Sequence, residues 1–190
     1  LNPELQQIIA KRFKEPTLPQ KLAIPKILEN KNVLIIAPVA SGKTEAAILP
    51  LLHKIMEEKP KPTSILYISP LKSLNRDLLE RLIWWSNQTG IDTSVRHGDT
   101  SQYERKMQVE FPVQLLILTL ETLQPILTGK RMREHLRNVK YVILDEVHEI
   151  ADSKRGVQLT LGLERLRELC GDFQLIMLSA TIGEPEKVAD

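Results

Sequence analysis

Cysteine is almost missing from this chain. Cys170 is the single one in 190 residues, which excludes an internal disulfide and makes a reducing compartment, the cytoplasm, the expected setting. Aromatic residues amount to 4%, too few for an extended base-stacking platform. Excess charge is missing too: 26 Lys and Arg against 24 Asp and Glu leave a formal +2, so any nucleic-acid contact must be local rather than chain-wide. No apolar run reaches membrane-span length, no repeat or low-complexity tract interrupts the sequence, and the first residues carry no signal-peptide pattern. No membrane partner is expected. The 42% hydrophobic and 26% charged content that remains is the balance of one folded domain with a full core, expected over residues 1–190.

Apolar, β-rich runs recur at residues 33–36, 65–68, 115–118, 141–144 and 175–178, with a shorter one at 93–96. They are continuous rather than alternating, as in strands covered on both faces. Helical patterns occupy residues 2–13, 19–29, 42–58, 71–86, 101–108 and 155–169, and Lys59-Pro60-Lys61-Pro62 closes the third. The fold expected is α/β: a mostly parallel sheet with helices on both faces, of the RecA-like P-loop type. In such sheets ligands meet the carboxyl ends of the strands. Ser69-Pro70, His97-Gly98-Asp99, Thr119, Asp145-Glu146 and Ser179-Ala180-Thr181 all follow predicted strands and should therefore crowd one rim.

Ala37-Pro38-Val39-Ala40-Ser41-Gly42-Lys43-Thr44 lies between a predicted strand and a predicted helix, the setting of a phosphate loop. Backbone N–H groups there can surround phosphate oxygens, and the helix adds its positive dipole end. Ala37 stands where the common pattern has its first glycine. Ala37, Ala40, Ser41, Gly42, Lys43, Thr44 and Glu45 are the expected nucleotide contacts, with Lys43 on the terminal phosphates and Thr44 on Mg²⁺. An isolated SGKT could be accidental; a second signal argues otherwise. The run 141–144 ends in Asp145-Glu146, a carboxylate pair placed to hold Mg²⁺ through Asp145 and to activate water through Glu146 as general base. Lys43, Asp145 and Glu146 form the expected catalytic set.

Taken in order, these segments resemble the first motor lobe of a superfamily 2 helicase. Phe13 and Gln20 resemble its adenine-reading Q region, and Ala37 to Thr44 its motif I. Ser69 to Asp77 resembles motif Ia, and His97 to Thr100 the GD motif. Thr119 to Leu123 resembles motif Ib, Asp145 to His148 motif II, and Ser179-Ala180-Thr181 motif III. The phrases at residues 71–78, 95–100, 153–157 and 163–166 are similar to the large helicase-related, Lhr-type group. The resemblance implies ATP and Mg²⁺ as cofactors, with Gln20 on the base. It implies single-stranded or duplex nucleic acid, DNA favoured, against Pro70, Lys72, Asn75, Arg76, Gly98, Asp99, Thr119 and Thr122. It further implies that His148, Ser179 and Thr181 couple nucleotide state to lobe closure, that a second RecA-like lobe completes the motor, and that the role is of a DNA-repair kind. An RNA helicase of the DEAD-box type and a nucleotide-dependent clamp with weak hydrolysis are the alternatives.

Three departures carry consequences. Val39 and Ala40 replace the family's Thr and Gly, so a positive φ at Ala40 would cost on the order of 1 kcal/mol. Leu120 replaces a proline, leaving the start of the following helix less fixed. The sequence ends nine residues after Thr181, before any arginine finger of a second lobe. Such a finger contributes about 10³- to 10⁵-fold to turnover, so this stretch alone is expected to bind nucleotide far better than it hydrolyses it. Of the pair Trp84-Trp85, one ring is expected in the core and the other outside. The basic cluster Arg131, Arg133, His135, Arg137 fits a nucleic-acid contact or a charged surface helix equally well.

Overall fold

Alternate residues of the central strands enter two different cores, which is why those strands are apolar throughout. In the computed structural model, which describes residues 1–151 and 153–181, the chain runs α1 (Pro3–Arg12), α2 (Leu18–Leu28), β1 (Val33–Ile36), α3 (Lys43–Glu58), β2 (Ile65–Ser69), α4 (Arg76–Thr89) and β3 (Thr93–Arg96). It continues through α5 (Gln102–Glu110), β4 (Leu115–Thr119), α6 (Leu120–Thr128), α7 (Lys130–Leu136), β5 (Tyr141–Leu144), α8 (Lys154–Cys170) and β6 (Gln174–Ser179). Ile65 and Tyr67 join Ile143, Ile176 and residues of α1 to α4 in one core. Leu66, Ile68, Val142 and Leu144 join α6, α7 and α8 in the other. The expected domain over 1–190 also takes in residues 182–190, which lie outside the described residues.

All six strands pair in parallel, in the order β1-β6-β5-β2-β4-β3. Register places Ile36 beside Ser179, Leu144 beside Met177, and Ser69 beside Thr119, so the carboxyl ends are level. Every loop expected at the rim is therefore there. Among the described residues no helix is long and apolar enough to cross a membrane.

The helix expected over 71–86 is two elements. A 3₁₀ turn, Leu71–Ser73, is followed by a break at Leu74, and α4 begins only after Asn75. Asn75 caps it, its Oδ1 accepting from the Leu78 N–H at 2.9 Å. The two tryptophans divide as expected: Trp85 is buried and stacks on Phe13, while Trp84 lies outside it beneath the Arg12 guanidinium, 4.3 Å from the ring centre. The Arg131–Arg137 cluster leads into the amino end of β5, opposite the rim. There His135 Nε2 meets the Val109 carbonyl and Arg137 pairs with Glu134.

Candidate nucleotide site

The phosphate loop closes on itself at the carboxyl end of β1. Gly42 takes a left-handed φ of 82° immediately before α3, and a Cβ there would stand 2.6 Å from Gln20 Nε2, so a larger residue would be strained and would push the Gln20 amide off the loop. Ala40 also adopts positive φ, 59°, in the conformation that the family's glycine reaches without strain. The Lys43 amine lies inside the loop and donates to the carbonyls of Ala37 at 2.5 Å and Pro38 at 3.2 Å. The Ala37 N–H donates to Ser179 O, tying the loop to β6.

Motif II faces this loop across β6. Burial lowers the Lys43 pKa, and the charges of Glu146 and Asp145 oppose that shift. Asp145 is buried, and burial raises its pKa despite four opposing influences: hydrogen bonds from the Tyr67 hydroxyl and the Glu146 N–H, and the charges of Lys43 and Arg81. Glu146 is also shifted upward, by burial first and by Asp145 second. Its backbone is left-handed, φ 51°, a strained geometry for a glutamate at the position expected to activate water.

Glu146 is held from the far side by His148, whose Nε2 lies 3.0 Å from Glu146 Oε2. The other ring nitrogen, Nδ1, accepts from the Ala180 N–H at 3.2 Å and lies 3.2 Å from Ser179 Oγ. A backbone N–H can only donate, so the ring proton sits on Nε2 and points at the carboxylate. The coupling set is thus partly revised. His148 and Ser179 meet, whereas Thr181 is exposed and the contact expected of it is made by the Ala180 main chain.

Several other expected contacts fall elsewhere. Glu45 is buried and turned toward Arg81 of α4, 3.7 Å away, rather than toward the phosphate loop. Gln20 spends its amide oxygen on the Thr17 N–H and one amide hydrogen on the Gly42 carbonyl, bracing the loop and leaving one hydrogen for a base. On the other half of the rim, Lys72, Asn75, Arg76, Gly98 and Asp99 are exposed, while Pro70 is buried. Lys72 and Arg76 do not share a helix face, since the break at Leu74 separates them, and Arg76 pairs with Glu80 at 2.5 Å. Thr119 and Thr122 are both buried, and the Thr122 hydroxyl bonds to the carbonyls of Thr119 and Arg96. These threonines fasten the rim loops to each other and do not present hydroxyls at the surface. Leu120, in place of proline, opens α6 with its side chain buried, so packing fixes that helix start.

The residues present suit a triphosphate with a divalent cation. Ser41 Oγ is buried without a hydrogen-bond partner among the described residues, beside the free N–H groups of α3. Lys43, Thr44 and Asp145 would then hold the phosphates and the cation between them. Tyr67 and Arg81 were not legible as site residues, because a tyrosine in an apolar strand reads as core and an arginine in an amphipathic helix reads as surface.

A parallel sheet with a phosphate loop after one strand and an acid pair facing it defines the RecA-like P-loop class. The chain belongs to the DEAD/DEAH box helicase family, whose pattern it matches over residues 17–188. It is similar to the ATP-dependent helicase Lhr-Core of Methanothermobacter thermautotrophicus, at 38% identity over 100% of this chain and 24% of the relative. The Lhr helicase/uracil glycosylase of Escherichia coli is 37% identical over 99% of this chain and 14% of its own length. The structure of Mycobacterium smegmatis helicase Lhr bound to ssDNA and AMP-PNP superposes with a TM-score of 0.91 at 38% identity, covering 99% of this chain and 26% of that one. The chain thus spans about a quarter of these relatives or less.

Proposed function

We propose that this chain is the ATP-binding first lobe of an Lhr-type motor that moves on nucleic acid, with DNA the favoured track, and that the rest of the protein supplies a second RecA-like lobe. The observation that carries this reading is the convergence of Lys43 with Asp145 and Glu146 at one rim, with His148 linking Glu146 to β6.

In this reading Gly42, Lys43 and the α3 amides bind the phosphates, and Thr44 and Asp145 would hold Mg²⁺, which would supply positive charge to offset what develops on the phosphates. Glu146 takes the proton of the attacking water, and His148 orients its carboxylate. The exposed rim at Lys72, Asn75, Arg76, Gly98 and Asp99 contacts the sugar-phosphate backbone without reading sequence, which suits a translocating machine. A role in DNA repair and a cytoplasmic location complete the proposal. The M. smegmatis relative, captured with ssDNA and AMP-PNP, supports DNA as the track.

The test is the ATPase rate of the full-length protein with and without single-stranded DNA or RNA. Strong stimulation by DNA is expected. Stimulation by RNA alone would move the assignment to an RNA helicase. ATP binding without stimulated turnover would favour a clamp, a reading supported by the strained Ala40 in the phosphate loop.

A further inference from the structure

Tyr67 sits in the middle of β2, fully buried, yet its hydroxyl lies against the carboxylate of Asp145, one of the side chains assigned to the cation. It donates to Asp145 Oδ2 at 2.6 Å. Donating to Asp145 Oδ2 restricts the carboxylate, whose Oδ1 is already engaged by the Glu146 N–H at 2.9 Å. Arg81, which pairs with the buried Glu45 on α3, places its charge close enough to act on both Tyr67 and Asp145, and so ties α4 to the same cluster.

Nothing in packing alone asks for this hydroxyl. Phenylalanine would fill the same space in the core that Tyr67 shares with Ile65 and Ile143, without placing a polar atom in a fully buried strand. We infer that Tyr67 is a positioning residue for the divalent cation, holding the Asp145 carboxylate in the orientation that the cation requires. This rests on the proposed nucleotide site and adds a residue to it.

The test compares binding of a fluorescent ATP analogue to the full-length protein in MgCl₂ and in EDTA, for the unsubstituted protein and for Tyr67→Phe. Loss of an outer partner of a metal ligand costs 10- to 100-fold in metal affinity. The variant is therefore expected to bind the analogue about tenfold more weakly in magnesium and within about twofold of normal in EDTA. A purely structural role would weaken both conditions alike. Equal loss in both, or no loss in either, would overturn the inference while leaving the nucleotide site intact. An unsubstituted protein whose binding shows no magnesium dependence would remove the site assignment and this inference together. Should Tyr67→Phe fail to fold, Tyr67→Met, an adaptable filler without a donor, is expected to show the same magnesium-specific loss, and its absence would count equally against the inference.

Discussion

Two residues outside glycine hold left-handed backbone at the nucleotide site: Ala40 in the phosphate loop and Glu146 beside the cation acid. At Ala40 the side chain adds strain of about 1–2 kcal/mol, while glycine would lose about 0.4–1 kcal/mol more chain entropy on folding. The difference predicts that Ala40→Gly stabilises the full-length protein by about 0.5–1 kcal/mol in urea unfolding. A loss of stability would show that the loop does not dwell in this conformation.

Glu146 yields a prediction with a definite sign. Its pKa is raised in the folded state, first by burial and then by Asp145. The protonated form is therefore the one the fold favours, and that contribution to stability is lost as pH rises through the raised pKa. Glu146→Gln should unfold at higher denaturant than the unsubstituted protein at neutral pH, with the gap closing as pH falls below the ordinary carboxylate range. The same substitution should abolish stimulated ATPase, and in the unsubstituted protein the acid limb of kcat/KM should lie above the range of an ordinary glutamate. A limb at or below that range would exclude Glu146 as the base.

Among the elements, the α6–α8 contact depends on a missing side chain. A Cβ on Gly162 would come within 2.5 Å of Leu123 Cδ2 and 3.3 Å of its Cγ, and Leu123 is completely buried, so making room means repacking the core around it. Overpacking a core costs about 1–3 kcal/mol, whereas alanine gains about 1 kcal/mol over glycine in a helix. The first effect wins, so Gly162→Ala is expected to cost about 1 kcal/mol of stability, read from urea unfolding. A stabilised variant would mean that α6 and α8 lie farther apart than described.

The same scale shows what the sequence discloses and what it withholds. The strands were legible because burial on both faces writes an unbroken apolar run, as at 65–68 and 141–144. The split between Leu71–Ser73 and α4 was not, although Asn75 carries a capping signal, because the apolar spacing of Leu71, Leu74, Leu78 and Leu82 continues across the break. Motif order located Lys43, Asp145 and Glu146, and the pairing of His148 with Ser179. Order could not say which way Glu45, Thr119 and Thr122 turn. Side-chain direction at a strand or helix end depends on neighbours far along the chain: Arg81 for Glu45, and the Arg96 carbonyl for Thr122.

For the molecule as a whole, the parallel sheet sets the nucleotide half and the proposed nucleic-acid half on one rim, with the boundary between β5 and β2. The phosphate loop, β6 and motif II are joined by a run of hydrogen bonds from Ala37 through Ser179 to His148 and Glu146. Such a run is a physical route by which occupancy at Lys43 would bias how the proposed second lobe docks.

The central claim is that Lys43 and the Asp145–Glu146 acids form a single magnesium-nucleotide site. Calorimetric titration of the full-length protein with MgATP, alongside Lys43→Ala, tests it directly. Saturable uptake by the unsubstituted protein, weakened at least tenfold in the variant, is the predicted result, since Lys43 supplies a charge-assisted contact to phosphate of about 1.5–3 kcal/mol. Equal affinity in the two proteins, or no uptake by either, would contradict it.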